Sequence, residues 1–265
     1  MPGAEFDLRA LVMAVSDAAD RALTLWAGGQ TTVRQWEKVP GHPVCEADLE
    51  LDEMLRQSLG ALDPGAGWLS EETADTVHRL DLDRVWVVDP IDGTRDYLRG
   101  RPGWAVSVAL VEHGAARVGI LAAPARNELW IAQAGAGATR NGRTLRAGSR
   151  TRLPGARVPA DQLPRHDRDL VTVEKPNSIA LRMAMVAADE ADLVATVRWG
   201  NEWDVAAAAL IAQEAGAIVT DALGDPLSFN RPQPTAFGLL CAAPGIHAAA
   251  TDRLAPRARD LLARG

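Results

Sequence analysis

Carboxylates gather at four places in this chain of 265 residues: Asp48, the pair Glu71 and Glu72, the pair Asp89 and Asp92, and Asp204. Each stands beside an expected strand end or helix start. Carboxylate and carbonyl oxygens suit hard cations such as Mg2+. Histidine and cysteine are absent from the clusters, which disfavours zinc. Each acid also has an ordinary reading. Asp204 and Asp48 read as helix N-caps or first-turn acids, Glu71 and Glu72 as a solvated loop, and a lone Asp-Gly as a turn.

The string DPIDGT, residues 89–94, is harder to explain that way. Pro90 biases Asp89 towards an extended conformation, so the strand is expected to end there. The chain then turns, and Asp92 and the Ile91 carbonyl can point back at the same spot. Gly93 lets backbone approach a ligand. A helix starting at Gly93-Thr94 would offer free N–H groups as a phosphate seat. The Thr94 hydroxyl could orient a water. Neither a turn nor a cap demands both aspartates and the threonine.

The elements that must position these groups can be read from periodicity. Leu8, Leu11, Val12, Val15, Ala19, Ala22, Leu23 and Trp26 recur at helical spacing, with Gly28 and Gly29 as the stop. Residues 47–62 read as a second helix. GWLSEE, 67–72, reads as a strand meeting a loop, and DRVWVVDP, 83–90, as a strand buried on both faces. Two β-rich runs flank His113-Gly114, and Asn141-Gly142 marks another tight turn. Residues 148–170 lack a clear period and read as a connector. Strands are expected in LVTVEKP, DLVATV, AIVTDA and FGLLCAA. Helices are expected in SIALRMAMVAADEA, in WDVAAAALIAQEAGA with Gly216 as its stop, and over about 245–263. The first half thus reads as a helix pair against an antiparallel meander, and the second as an α/β layer. Residues 1–147 and 148–265 are the expected subdomains.

Composition narrows the function. There are 35 acids against 28 bases, a net charge of −7, and no basic tract, so no nucleic-acid polymer is expected as partner. Bound cations can still reverse the local sign for an anionic substrate. Two distant cysteines, Cys45 and Cys241, fit a reducing cytoplasm. No leader is read at the N-terminus, and no apolar run reaches the roughly 18 residues of a membrane span.

At DPIDGT (89–94) and WDVAA (203–207) the sequence resembles the inositol monophosphatase superfamily of metal-dependent, lithium-sensitive phosphatases, whose hallmark is a D-P-I/L-D-G-T box and a later W-D. PVCEAD (43–48) is similar to the family's T-x-x-D segment, with Cys45 for the usual threonine. LSEE (69–72) and EAGAIVTDALGDPL (214–227) are similar to further family segments. The resemblance implies a layered α-β-α-β-α sandwich, an α+β or α/β fold of the sugar phosphatase type, and a homodimer. It implies two or three Mg2+ ions. Glu71, Asp89 and the Ile91 carbonyl would hold the first, and Asp89, Asp92 and Asp204 the second. Glu71 would reach a third. Glu71, Thr94 and Asp48 are the expected catalytic residues, with Thr94, supported by Asp48, positioning the attacking water. The expected substrate contacts are Asp92, Gly93, Thr94, Ser178, Arg198 and Asp204. Ser70, beside Glu71, has no His or Lys partner nearby in sequence to make it a nucleophile.

The substrate would be a small phosphorylated metabolite. Family members acting on inositol phosphates commonly carry an acid a few residues before the W-D pair. In TVRWGNE, 196–202, Thr196 or Val197 falls near that position in place of an acid, and Arg198 and Trp199 stand close by. These suit a second phosphate or a base ring, or they merely cover a strand edge. LSEET, DRVWVVDPIDGTRDYLRGRP and SRTR (149–152) resemble bacterial 3'(2'),5'-bisphosphate nucleotidase-like members. Inositol-1-phosphate, other sugar phosphates and histidinol phosphate are the alternatives. A non-catalytic metal-binding dimer is the alternative of another class; a broken acid set would mark it, and the set is complete. Arg95, Arg99 and Arg101 would contact substrate or be solvated.

Overall fold

The computed structural model describes residues 7–26, 33–39 and 42–264. Five layers stack in the order helices, sheet, helices, sheet, helix. The outer pair is α1 (Leu8–Trp26) and α2 (Glu46–Leu62), with the hairpin β1 (Gln35–Val39) and β2 (His42–Cys45) between them in the chain. The expected stop at Gly28 and Gly29 lies outside the described residues.

The seven-stranded sheet comes next. Its strands are β3 (Gly67–Ser70), β4 (Arg84–Asp92), β5 (Ala105–Glu112), β6 (Ala115–Ala123), β7 (Glu128–Gln133), β8 (Gly137–Arg140) and β9 (Arg143–Thr144), in that spatial order. β3 and β4 run parallel and the rest is an antiparallel meander. Both expected tight turns have left-handed backbone, at His113-Gly114 and Asn141-Gly142, the geometry that matches strand twist. β4 is apolar throughout because both faces are covered. Trp86 and Val88 pack towards α1 and α2, while Val85 and Val87 pack towards the central helices.

A short helix, α3 (Thr94–Leu98), follows β4 directly. The central layer is α4 (Ile179–Ala187) and α5 (Glu202–Glu214). From Val205 to Ala212 every residue of α5 is buried, as a helix between two sheets requires. A Cβ on Gly119 of β6 would lie 2.6 Å from the Ala207 oxygen, so glycine and alanine permit this close approach. The second sheet is β12 (Leu193–Asn201), β14 (Thr235–Ala242) and β13 (Ile218–Thr220), in that order, and α6 (Pro244–Leu262) covers its far side. The main core joins residues from both sides of position 147.

The second sheet is antiparallel, and helices alternate with its strands as the α/β reading expects. Two details depart from the sequence reading. The connector holds β10 (Arg157–Pro159), which pairs in parallel with β11 (Val171–Val173); three-residue strands are too short to show a period. β4 does not stop at Asp89 but runs through Pro90 to Asp92, because a bulge accommodates the proline.

Candidate active site

The bulge explains the spacing of Asp89 and Asp92. Residues three apart on a regular strand face opposite sides of the sheet. Here Asp89 pairs with Ser107 and Asp92 with Ala105, so β4 spends one residue more than β5 over this interval. The register slips by one and the second carboxylate swings towards the side of the first. Both line one cavity of about 620 Å³.

Glu71 arrives through the parallel pairing of β3 with β4. Ser70 lies beside Val88, and the Glu71 N–H donates to the Val88 carbonyl at 3.3 Å. Glu71 therefore leaves its strand next to Asp89. The turn behind it is pinned by Asp52, which accepts from the Ser70 and Thr73 hydroxyls. Sequence reading missed Asp52. Its signal is the four-residue step from Asp48, which sets both acids on one face of α2.

Asp204 comes from the first turn of α5, where it accepts the Asn201 N–H at 3.1 Å. It caps the helix and also faces the cavity, so the two readings of this residue coexist. Carboxylate oxygens of Glu71, Asp89 and Asp204 all lie within 4.8 Å of one another. Burial pushes the Asp89 pKa well up, and the charges of Glu71, Asp92, Asp204 and Asp48 push it further. Asp204 is raised to about 7 by burial and by Asp92. Negative charges crowded out of water are relieved by a cation. The donor set is all carboxylate, with no imidazole or thiolate, and so fits Mg2+.

Asp92 borders the cavity but directs its oxygens at the start of α4. Ile179 and Ala180 N–H groups donate to it at 3.3 and 2.8 Å, and so does the Ser178 hydroxyl. Burial raises its pKa, and those bonds pull it back. Ser178 is wholly buried and not part of the cavity wall. The structure puts it behind Asp92 rather than on the cavity wall where a substrate contact was expected, and its oxygen also caps α4 through the Leu181 N–H.

Gly93 has φ +100° and begins α3. A Cβ there would sit 2.7 Å from the Gly103 oxygen and 2.9 Å from the Ser178 nitrogen, so only glycine fits. Next to it, Thr94 Oγ1 lies 3.0 Å from the Ile91 carbonyl and 3.4 Å from Asp48 Oδ1. Asp48 is buried, and its other oxygen accepts from the Cys45 N–H at 2.8 Å and the Cys45 thiol at 2.9 Å. Both acceptors compete for the single Thr94 proton, which leaves the hydroxyl's lone pairs free to receive a water's hydrogen.

The same cavity also has a basic lining. Arg198 and Trp199 line it, with Lys175 and Arg182, neither of which was foreseen. A register shift in β12 between Thr196 and Trp199 re-aims this stretch. Trp199 is 63% exposed and meets Phe237 edge-on at 5.4 Å. Arg95 also lines the cavity, whereas Arg99 and Arg101 are exposed elsewhere.

The sequence matches the inositol monophosphatase family over residues 8–263. The inositol-1-monophosphatase of Mesorhizobium japonicum is 34% identical over 220 residues, spanning 77% of this chain and 81% of that protein. The histidinol-phosphatase of Chlorobaculum parvum is 32% identical over 217 residues, 76% of this chain and 81% of that one. Among solved structures, the IMPase of Thermotoga maritima superposes with a TM-score of 0.79 at 26% identity, covering 96% of this chain and 98% of that one. These findings define a class first, the phosphoric monoester hydrolases of layered α/β fold. Within that class, the chain belongs to the inositol monophosphatase family.

Proposed function

We propose that the protein is a Mg2+-dependent, lithium-sensitive phosphatase that removes one phosphate from a 3'(2'),5'-bisphosphate nucleotide. The observation that supports this substrate is the basic and aromatic lining of the cavity that the acids share. Exposed Trp199, backed by Phe237, offers a stacking face for a base ring, and Arg198 beside it offers a charge for a second phosphate. Thr196 lines the wall where an acid would serve a polyol.

Ions held by Glu71, Asp89 and Asp204, with Asp92 and the Ile91 carbonyl contributing, would supply positive charge at the phosphate and make water a better nucleophile. The chain does the rest. Thr94, fixed by Asp48 and the Ile91 carbonyl, accepts a hydrogen bond from the attacking water and aims it at phosphorus. Glu71 stands ready to take that water's proton. Backbone N–H groups at Gly93 and Thr94 orient the phosphate oxygens. Water adds in line, the ester P–O bond breaks, and the alcohol oxygen leaves with the bonding pair and gains a proton. No covalent enzyme intermediate forms.

Relatives named for inositol-1-phosphate and histidinol phosphate activity favour a second reading, a sugar-phosphate or histidinol-phosphate phosphatase. The ammonium of histidinol would meet Lys175, Arg182 and Arg198, so the wall counts against that substrate. A panel of adenosine 3',5'-bisphosphate, inositol-1-phosphate, fructose 1,6-bisphosphate and histidinol phosphate, compared by kcat/KM with Mg2+, decides. A preference for the nucleotide supports the reading, and a preference for inositol-1-phosphate overturns it. Absence of phosphate release from all four would favour a non-catalytic metal-binding dimer. Lithium is expected to inhibit; insensitivity would point to another ion arrangement. The reading includes a homodimer in the cytoplasm, and light scattering at a monomer mass would contradict the dimer.

A further inference from the structure

Arg182 is a cation without a carboxylate of its own. It sits half-buried on α4, one turn beyond Ser178. Its Nε donates to the Pro176 carbonyl and its Nη2 to the Asn177 carbonyl, both at 2.7 Å. A guanidinium has five N–H donors, so three remain without a protein acceptor among the described residues. The acids near enough to be felt are Asp92, Asp161 and Asp96. Asp161 is paired with Lys175, Asp96 accepts the Asn177 N–H, and Asp92 serves the start of α4. Arg198, from β12, is exposed and likewise has no ion pair among the described residues. The two arginines feel each other: burial and the Arg198 charge hold the Arg182 pKa below the ordinary guanidinium value. Both line the acid-bearing cavity, and both also line a neighbouring cavity of about 280 Å³, so they stand on the partition.

Two guanidinium groups that line the same two cavities, one fixed by backbone carbonyls and neither in an ion pair among the described residues, form a receptor for a planar or tetrahedral oxyanion. We propose that Arg182 and Arg198 form a second anion seat, which takes a phosphate group of the substrate other than the one hydrolysed and thereby selects doubly phosphorylated substrates. This rests on the reading of the acid cluster as the hydrolytic site. Arg182 is the determinant of the pair, because the Pro176 and Asn177 carbonyls fix its direction while Arg198 is exposed.

The test compares substrates that differ only by the second phosphate: adenosine 3',5'-bisphosphate with adenosine 3'-monophosphate, and fructose 1,6-bisphosphate with fructose 1-phosphate. Wild type, Arg182→Ala, Arg182→Lys and Arg198→Ala are assayed. Loss of charge-assisted hydrogen bonds predicts that Arg182→Ala lowers kcat/KM for the preferred bisphosphate about ten- to hundredfold, through KM. Its monophosphate counterpart should change less than about threefold. Arg182→Lys should recover part of the loss, and Arg198→Ala should show the same split more weakly. Equal losses on both members of a pair, no loss at all, or a wild type that prefers neither bisphosphate overturns the seat. Should Arg182→Ala fail to fold, the Arg182→Lys and Arg198→Ala splits decide. If the fructose pair shows the split while the nucleotide is a poor substrate, the seat stands and the nucleotide reading falls. If the nucleotide is preferred and Arg182→Ala cuts both of its esters equally, the reverse holds.

Discussion

At the N-cap of α2 stands Cys45, a position that ordinarily favours an oxygen able to accept from the helix amides. Sulfur accepts weakly, and here it also donates, to Asp48 Oδ2 at 2.9 Å. Burial and the Asp48 charge raise the thiol pKa, so the donor keeps its proton. With Oδ2 held from two sides, Oδ1 is left to face Thr94. Cys45→Ser and Cys45→Thr are therefore expected to hold kcat within about threefold. Cys45→Ala removes one bond and should lower kcat about three- to tenfold with KM unchanged. Steady-state kinetics check this, and equal rates in the alanine and serine variants would remove the role. Residues of this kind differ in how plainly they show in a sequence. Asp89, Asp92 and Thr94 show because their density exceeds what a turn needs. Arg182 does not, since a single arginine in an apolar helix reads as a snorkelling surface group. Only the backbone turn at Pro176-Asn177 gives it a direction.

Among the elements, the bulged end of β4 and the parallel β3–β4 pair bring Glu71 to Asp89, and α5 brings Asp204. Pro90 read as a strand stop through the bias it puts on Asp89, yet the strand continues, and the bulge that tolerates the proline also aligns the two aspartates. Most strand and helix identities were legible from their periods, whereas the short strands β1, β2 and β10 were not. The bulge was not, because it depends on the register of the partner strand. Another hidden link joins the elements behind the site. Arg79, on the 3₁₀ turn Val77–Asp81, is 1% exposed, pairs with Asp75, and reaches the Asn230 side chain and the Arg231 carbonyl. Glu202, at the start of α5, accepts the Asn230 and Arg231 N–H groups. This chain of bonds ties the segment after Glu71 to the helix that carries Asp204. Arg79→Met should cost about 3 kcal/mol of stability, at the low end for a broken buried pair because Asp75 keeps partial access to water. Urea unfolding measures it, and a change below about 1 kcal/mol would show the link to be dispensable.

The whole molecule holds excess negative charge in its centre. Asp204 and Glu202 are both raised to about 7, each chiefly by burial. Their ordinary values are 3.8 and 4.5. Between those values and about 7 the folded metal-free chain binds more protons than the unfolded chain, so stability falls as pH rises. Carboxylates held low by a basic neighbour, such as Asp75 and Asp161, act in the opposite sense but below that window. The melting temperature in chelator is expected to drop from pH 5 to pH 8. The gain on adding Mg2+ should grow over the same range, because the ion replaces the proton. A melting temperature in chelator that rises with pH would contradict this charge balance.

The most direct measurement is phosphate release by Asp89→Asn in saturating Mg2+, with circular dichroism on the same sample. Asp89 is the buried member of the three-acid cluster and feels every other acid of the site. The expected result is an intact fold with turnover reduced by at least about a hundredfold, the scale of losing one preorganised electrostatic group. Near-normal turnover in that variant, or wild-type turnover in chelator, would show that the three carboxylates do not hold the ions on which hydrolysis depends.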